Sequence, residues 1–245
     1  MQVAGDDLIE SVVSLVAERS RRDLGAMDPT ILAEMSAASR AADPAALRAL
    51  INQLQDTGLS RIQLIDLYVP ALARLLGENW CDDTVSFAEV TIATARLQAL
   101  LAEFGRRDMP DIHAPQVAML VRQDERHTLG AVVAANQLRR RGLGVHLILG
   151  CSDDEIGAVL RERRFEAVLL SASACDTLET VRHLVNLIRE SVGTSIVLGG
   201  SILELGVDFR VMTGVDHATS DATEVLRLCG LKSGADGTQS DTMPD

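Results

Sequence analysis

The stretch Gln116-Val-Ala-Met-Leu-Val121, followed by Glu125-Arg-His127-Thr-Leu-Gly130, decides the fold that this sequence predicts. The first run is short and apolar, as a buried strand is, and residues 130–141 have the amphipathic pattern of a helix. The stretch therefore predicts a strand, a loop and a helix, with His127 on the loop at the carboxyl end of a first parallel strand. Open α/β sheets bind their ligands at that place.

The neighbours of His127 suit a metal ligand. Glu125, two residues earlier, can accept the Nδ1–H of the imidazole, which leaves Nε2 available to a metal ion. Gly130, three residues later, lets a bulky ligand approach the backbone. Taken alone, a loop histidine is more often a solvated polar residue than a ligand, so the other motifs of the chain decide between the two interpretations.

Two further motifs follow at strand ends. Ser171-Ala-Ser173 comes after the strand-like residues 167–170, and Gly199-Gly200 comes after the strand-like residues 195–198. With His127, they resemble the Asp-x-His-x-x-Gly, Ser-x-Leu and Gly-Gly signature of cobalamin-binding domains. This chain has Glu125 where the family has Asp and Ser173 where the family has Leu.

The resemblance implies a cofactor and its site. In that family the histidine replaces the nucleotide base as the lower axial ligand of cobalt, so His127 is the expected metal ligand, with Glu125, Arg126 and Thr128 beside it. The slot for the displaced nucleotide tail is expected to be lined by Gly130, Ser171, Ser173, Gly199 and Gly200. The hydroxyl of Ser173 replaces an apolar wall of that slot.

The segment from Trp80 to Gln98 resembles the helical cap of the same family. The resemblance implies that Trp80 covers the upper face of the corrin, although a tryptophan near a helix end can also be a core residue. Methyl-carrying and light-sensing members have Glu-His where this chain has Val90 and Thr91, and Glu89 lies one residue early, about 100° around a helix. The chain therefore lacks the upper-face histidine, and Val90 is expected to face the cofactor without coordinating it.

This variant of the cap resembles the branch of the photosynthesis antirepressors AerR and PpaA. That resemblance implies a cobalamin-binding regulator, with haem as the alternative cofactor. It also implies a protein partner, a transcriptional repressor of the CrtJ/PpsR type, and photosynthesis genes as the target. A corrinoid methyl carrier is the alternative function. The chain is too short for the substrate barrel of an isomerase, and no catalytic triad or acid–base pair is evident, so we expect a protein that is not an enzyme.

Composition limits the partners and the compartment. The net charge of −12 argues against direct binding to DNA or to an anionic membrane, because both need clustered Lys and Arg. No apolar run reaches the roughly 18 residues of a membrane span, and the first residues lack a signal-peptide pattern. The four cysteines form no Cys-x-x-Cys pair, which indicates a reduced, cytoplasmic protein.

The sequence predicts two domains in 245 residues. The linker 106–115, with two prolines and mixed charge, separates a helical bundle of four or five helices (1–108) from a Rossmann-like, flavodoxin-like domain (115–230). The second domain should have five parallel strands with helices on both faces. Asp43-Pro44 is predicted to start a helix and Ser60 to cap a helix over residues 61–76. Residues 231–245, rich in Gly, Ser, Thr and Asp, are expected to be disordered.

Overall fold

The structure, a computed structural model, describes residues 25–108, 110–122, 128–174 and 176–231, and for Cys81 and Arg107 it describes the backbone alone. The chain divides into two compact units, Met1–Phe104 and Gly105–Asp245. The division falls just before the predicted linker 106–115, whose first residues form the 3₁₀ turn Arg106–Asp108. The predicted disordered tail lies outside the described residues, Leu231 excepted.

The first unit is helical. Numbered from the first described residue, its helices are α1 (Pro29–Arg40), α2 (Ala46–Asp56), α3 (Arg61–Gln63), α4 (Val69–Cys81) and α5 (Phe87–Gly105), with a π-helical turn at Leu64–Tyr68. No strand occurs between residues 25 and 104, so the predicted helical architecture is confirmed. Its core consists of fully buried side chains from successive helices, among them Met35, Ile51, Leu64, Leu72 and Leu97.

Local chemistry explains where these helices start. Ser60 caps α3 as predicted, because its hydroxyl accepts the amide of Gln63 at 3.2 Å and the Gln63 side chain accepts the amide of Ser60 at 2.9 Å. The single helix predicted for residues 61–76 was wrong in one respect, since the π-helical turn interrupts it. Pro70 has no N–H and would clash with the carbonyl four residues earlier. The amide of Val69 donates to the carbonyl of Leu64, one residue further back than in an α-helix.

The helix start predicted at Asp43-Pro44 was also wrong. Helix α2 begins at Ala46, and Pro44 lies in the preceding turn. The carboxylate of Asp43 accepts the amide of Ala45 at 2.8 Å, which closes a turn around the proline instead of capping a helix that starts with it.

The second unit alternates strands and helices. Its elements are β1 (Gln116–Arg122), α6 (Thr128–Arg140), β2 (Gly144–Cys151), α7 (Asp153–Glu162), β3 (Ala167–Ser171), α8 (Leu178–Ser191), β4 (Ser195–Gly199), the 3₁₀ turn Ser201–Leu205, α9 (Phe209–Thr213), β5 (His217–Ala218) and α10 (Ala222–Leu228). The strands are all parallel, in the order β2-β1-β3-β4-β5. The predicted five-stranded Rossmann-like sheet is confirmed.

Two apolar cores cover the two faces of the sheet. On one face Ala118 and Leu120 pack with buried residues of α7 and α8, such as Leu160 and Leu184. On the other face Val117, Met119 and Val121 pack with buried residues of α6 and α10. Successive side chains of a strand point to opposite faces, so one apolar run, β1, supplies both cores, which explains why its sequence does not alternate with polar residues.

Candidate cobalamin site at the carboxyl edge of the sheet

The carboxyl edge of the sheet contains the point at which the strand order reverses. Strand β1 lies between β2 and β3, so the helix after β1 and the helix after β3 leave toward opposite faces. A crevice at such a switch point is the usual ligand site of an open α/β sheet. The strand ends that meet at this edge are Arg122, Ser171 and Gly199.

The loop that carries the predicted metal ligand belongs to this edge by its place in the chain. Glu125, Arg126 and His127 lie outside the described residues. The residues that flank them are Arg122, the last residue of β1, and Thr128, the first residue of α6. Coordination by His127 and its hydrogen bond to Glu125 therefore stay predictions.

Gly130 lies in the first turn of α6 and not in the loop, because the helix begins two residues earlier than its amphipathic pattern indicated. Gly130 is exposed, and a Cβ built on it meets no atom within 4 Å. The backbone at this position is therefore open to a large ligand, and the expected role of Gly130 stays a prediction.

Ser171 and Ser173 are placed by the end of β3. Ser171 pairs with Gly199 of β4. Ser173 is only 8% exposed, and its amide and hydroxyl bind the carboxylate of Asp176 at 2.8 and 3.3 Å. The sequence analysis did not single out Asp176. The Ser-x-x-Asp spacing of a local side-chain-to-backbone turn could have indicated it.

Gly199 and Gly200 lie against the backbone of neighbouring segments. A Cβ on Gly199 would be 3.0 Å from the carbonyl oxygen of Thr219, just beyond β5. Gly200 has φ +101° and ψ −178°, and its Cβ would be 2.1 Å from the carbonyl oxygen of Ala172. The chain needs both glycines for its own packing at this edge, whether or not a nucleotide tail passes beside them.

The helical unit presents an aromatic pair near the end of α4 and the start of α5. Trp80 is 47% exposed and Phe87 is 58% exposed, and their ring centroids are 6.2 Å apart with a tilt of 53°. An indole that is half exposed is not a core residue, which removes the alternative interpretation of Trp80. The pair forms an apolar surface that suits a large flat ligand.

The positions that hold Glu-His in other cobalamin caps have no coordinating group here. Val90 is half-buried on α5, and the hydroxyl of Thr91 donates to the carbonyl of Phe87 at 2.8 Å. Glu89 has a structural role, since its carboxylate accepts the amide and hydroxyl of Ser86 at 2.9 and 2.7 Å. The hydrogen bond from the Ser86 amide lowers the pKa of the Glu89 carboxyl, and it fixes the start of α5.

The remaining polar candidates behave as expected for structural residues. His146 in β2 is half-buried, 6.0 Å from the ring of Phe165, and burial, with the charge of Arg163, lowers the pKa of its imidazole. His183 is exposed, and its Nε2 lies 2.7 Å from the carboxylate of Asp153. Within the described residues no group of three or more His, Cys, Asp or Glu side chains could hold a metal ion, and Cys175 lies outside them.

The comparisons with known proteins point to one family. Residues 115–227 match the family model of the B12 binding domain. A relative from Rhodobacter capsulatus, the "Uncharacterized 20.5 kDa protein in bchF-crtJ intergenic region", is 31% identical over 165 residues, which are 65% of this chain and 86% of that protein. The chain belongs to the B12-binding domain family. The cofactor of its B12-binding domain is cobalamin, as the three motifs predicted.

A solved structure shares the fold of this B12-binding domain protein. The monomethylamine corrinoid protein of Methanosarcina barkeri superposes with a TM-score of 0.59 at 14% identity, over 81% of this chain and 94% of that one. A novel cobalamin-binding protein from Desulfitobacterium hafniense DCB-2 gives a TM-score of 0.41 at 17% identity, over 84% of this chain and 98% of that one.

No described helix is both long and apolar enough to cross a membrane.

The residues at the carboxyl edge fit cobalamin. The edge offers a switch-point crevice and an open backbone at Gly130. The sequence places His127 in the loop between β1 and α6, and its coordination of cobalt stays a prediction.

Proposed function

We propose that this protein is a cobalamin-dependent, light-responsive transcriptional regulator, an antirepressor that contacts a CrtJ/PpsR-type repressor directly. The observation that carries the proposal is the relative from Rhodobacter capsulatus. This chain covers 86% of its length, and it is encoded in the intergenic region between bchF and crtJ. The resemblance of the segment from Trp80 to Gln98 to the caps of photosynthesis antirepressors supports the same conclusion.

The B12-binding domain contributes the lower side of the proposed site. His127 would hold the cobalt through one ring nitrogen, and Glu125 would accept the other ring N–H and so fix the tautomer. The slot for the nucleotide tail is lined by Gly130, Ser171, Ser173, Gly199 and Gly200. Bound cobalamin supplies a light-labile cobalt–carbon bond. The chain would orient this cofactor.

The helical unit contributes the upper side of the proposed site. Trp80, half exposed beside Phe87, provides the apolar cover. Val90 and Thr91 offer no imidazole, so the upper ligand would be water, hydroxide, an alkyl group or another side chain. Exchange of the upper ligand can change the affinity for a partner protein only if two conformations of the chain bind the cofactor with different affinity. We assign the hinge for that change to the linker 106–115.

Three properties favour a regulator over the alternatives. The net charge of −12 disfavours direct DNA binding, so control of transcription requires a protein partner. Methyl carriers of this family have the Glu-His pair that Val90 and Thr91 replace. Cobalamin, and not the alternative haem, is the cofactor of the family to which the chain belongs.

The cofactor part of the proposal is tested by absorption spectra with hydroxo-, methyl- and adenosylcobalamin, in the dark and after illumination. His127→Ala should lose the spectrum of an imidazole-ligated cobalamin and bind it more weakly. His113→Ala is the matched control, because His113 is an exposed histidine of the linker and should leave the spectrum unchanged. A His127→Ala spectrum identical to that of the wild type would refute the assignment of the ligand.

The regulatory part is tested with the repressor itself. A pull-down with apo, dark cobalamin-loaded and illuminated cobalamin-loaded protein should show different affinities in the three states. Equal binding in all three states would remove the switch. Transfer of a methyl group from the loaded protein to a thiol acceptor would establish the carrier function in its place.

A further inference from the structure

The second unit has an exposed apolar surface in the segment that follows β4. Four exposed apolar side chains lie between positions 205 and 212, on the 3₁₀ turn after β4, on α9 and on the connection between them. We call this the α9 surface, and it consists of Leu205, Val207, Val211 and Met212. Val211 is 79% exposed. Clusters of this kind on a soluble unit mark contact sites for other proteins.

An open groove of about 560 Å³ adjoins this surface. Ser195 and His217, the first residues of β4 and β5, line one side, and Arg210 and Val211 of α9 line the other. The groove is thus at the amino edge of the sheet. Strand β4 has a length of roughly 13 Å at the usual rise per residue, and it separates the groove from Gly199 at the cofactor edge.

The acidic groups of the groove are already used by the chain. The carboxylate of Asp208 accepts the amides of Arg210 and Val211 and caps α9. The carboxylate of Asp216 accepts the amide of Ile196 at 2.8 Å and pairs with Arg189 at 2.7 Å. Neither carboxylate therefore needs a group from a ligand.

The hydrogen-bond donors of the groove have no such partners within the described part of the chain. Three donors of the groove form no hydrogen bond or ion pair with another described side chain: the guanidinium of Arg210, the imidazole of His217 and the hydroxyl of Ser195. The imidazole of His217 interacts only electrostatically with the neighbouring carboxylate of Asp216. The groove therefore combines two carboxylates that the chain itself already binds with three donors that the described residues leave open. Its chemistry complements a carboxylate, and a guanidinium binds a carboxylate with two parallel hydrogen bonds.

The surface is also firmly positioned. Phe209 anchors α9 in the core, and the guanidinium of Arg182 on α8 donates to the carbonyl of Met212 at 2.8 and 3.0 Å. A rigid surface loses little conformational entropy when a partner binds. The exposure of Val211 and Arg210 therefore belongs to a fixed shape and not to a loose chain end.

We propose that the α9 surface and its groove bind a segment of a partner protein that carries an acidic residue next to apolar residues. The acidic side chain enters the groove and pairs with Arg210, and its apolar neighbours pack on Val211 and Met212. This site is separate from the cobalamin site, and the inference does not depend on the proposed antirepressor function.

The test is a random 12-residue peptide library displayed on phage and selected on the cobalamin-loaded, full-length protein. Enriched peptides should combine Asp or Glu with Leu, Ile, Val or Phe. Fluorescence anisotropy then compares their affinity for the wild type and for the double variant Arg210→Glu, Val211→Asp. The double variant should bind at least about tenfold more weakly, because one change repels the carboxylate and the other places a charge on the apolar surface.

The matched control is the double variant Arg164→Glu, Ile62→Asp. Both control residues are exposed, Ile62 by 45%, and lie outside the groove. It should bind the peptides as the wild type does. Arg210→Gln, a milder change, should weaken binding less than the double variant and guards against a folding defect. All variants should keep the cobalamin spectrum.

Three results would overturn the inference. The first is a selection that yields no peptides, or peptides without acidic residues. The second is equal affinity of the selected peptides for the wild type and for the Arg210→Glu, Val211→Asp variant. The third comes from sedimentation velocity: self-association of the wild type that this variant loses would assign the surface to a second copy of the chain.

Discussion

Gly200→Ala is the substitution for which the structure gives the sharpest expectation. The backbone at Gly200 has φ +101° and ψ −178°, a region that essentially only glycine adopts. An added Cβ would also lie 2.1 Å from the carbonyl oxygen of Ala172. That carbonyl cannot retreat freely, because it accepts the amide of Ile202 at 3.3 Å, and the amide of Ala172 donates to Gly199 at 3.0 Å.

The magnitude follows from these two effects. A non-glycine residue in that region costs about 2 kcal/mol. Moving the Ala172 carbonyl away from the new methyl group weakens at least one backbone hydrogen bond, which costs about 1 kcal/mol. Gly200→Ala should therefore lower the free energy of unfolding of the second unit by about 3 kcal/mol.

Gly206→Ala is the matched control. Gly206 also has a positive φ, +64°, but a Cβ there meets no atom within 4 Å, so only the backbone strain of about 1 kcal/mol remains. The assay is urea unfolding followed by circular dichroism, with hydrogen exchange of peptides from β3 and β4 to assign the loss to the second unit. Equal losses in the free energy of unfolding for the two variants would show that the contact between Gly200 and Ala172 does not contribute, and would refute this prediction.

Three further expectations follow from the same structure. Trp80→Ala should lower the free energy of unfolding by about 1 kcal/mol or less, because the indole is half exposed beside Phe87, yet it should speed the release of cobalamin during dialysis; unchanged retention would remove the proposed cover. Ser60→Ala should cost about 1 kcal/mol in urea unfolding, through loss of the capping box with Gln63, and a neutral result would mean that the α3 start needs no cap. Burial opposes the ionised form of Asp216, but the amide of Ile196 and the charge of Arg189 outweigh it and lower the pKa of this carboxyl. A carboxyl whose pKa is lower in the folded chain adds stability that is complete above the unfolded pKa and is lost as the pH falls below about 4. Asp216→Asn should therefore lose less stability than the wild type between neutral pH and pH 3. Parallel curves of stability against pH for the two proteins would contradict this.

The strands and helices of the second unit could be predicted closely because their signals are local. Five short apolar runs and the helical patterns between them define a parallel α/β sheet. The errors arose where a side chain competes with the pattern. Asp43 closes a turn that keeps Pro44 out of α2. Pro70 lies just after the π-helical turn that interrupts the predicted continuous helix. Such details depend on the geometry of single hydrogen bonds, which periodicity does not encode.

The candidate site could be predicted in its chemistry but not in its contacts. The order of the histidine, serine and glycine motifs, through its resemblance to the family signature, predicts cobalamin from the sequence alone. It did not show that Asp176 binds Ser173, nor that Gly200 is required by the carbonyl of Ala172. These contacts join segments that are brought together only by the pairing of β3 with β4. The groove at the amino edge has no motif at all, since its residues come from three separate elements.

The position of β1 in the sheet has a consequence for synthesis of the protein on the ribosome. This strand is made first in its unit, yet Val117 pairs with Val145 on one side and with Ala167 on the other. At usual rates of translation, its five fully buried apolar residues wait roughly 3 to 10 seconds before β3 has been made. During that time the nascent chain exposes an apolar run that can pair with other chains, so the yield of the protein in a host cell should depend on chaperones that shield this strand.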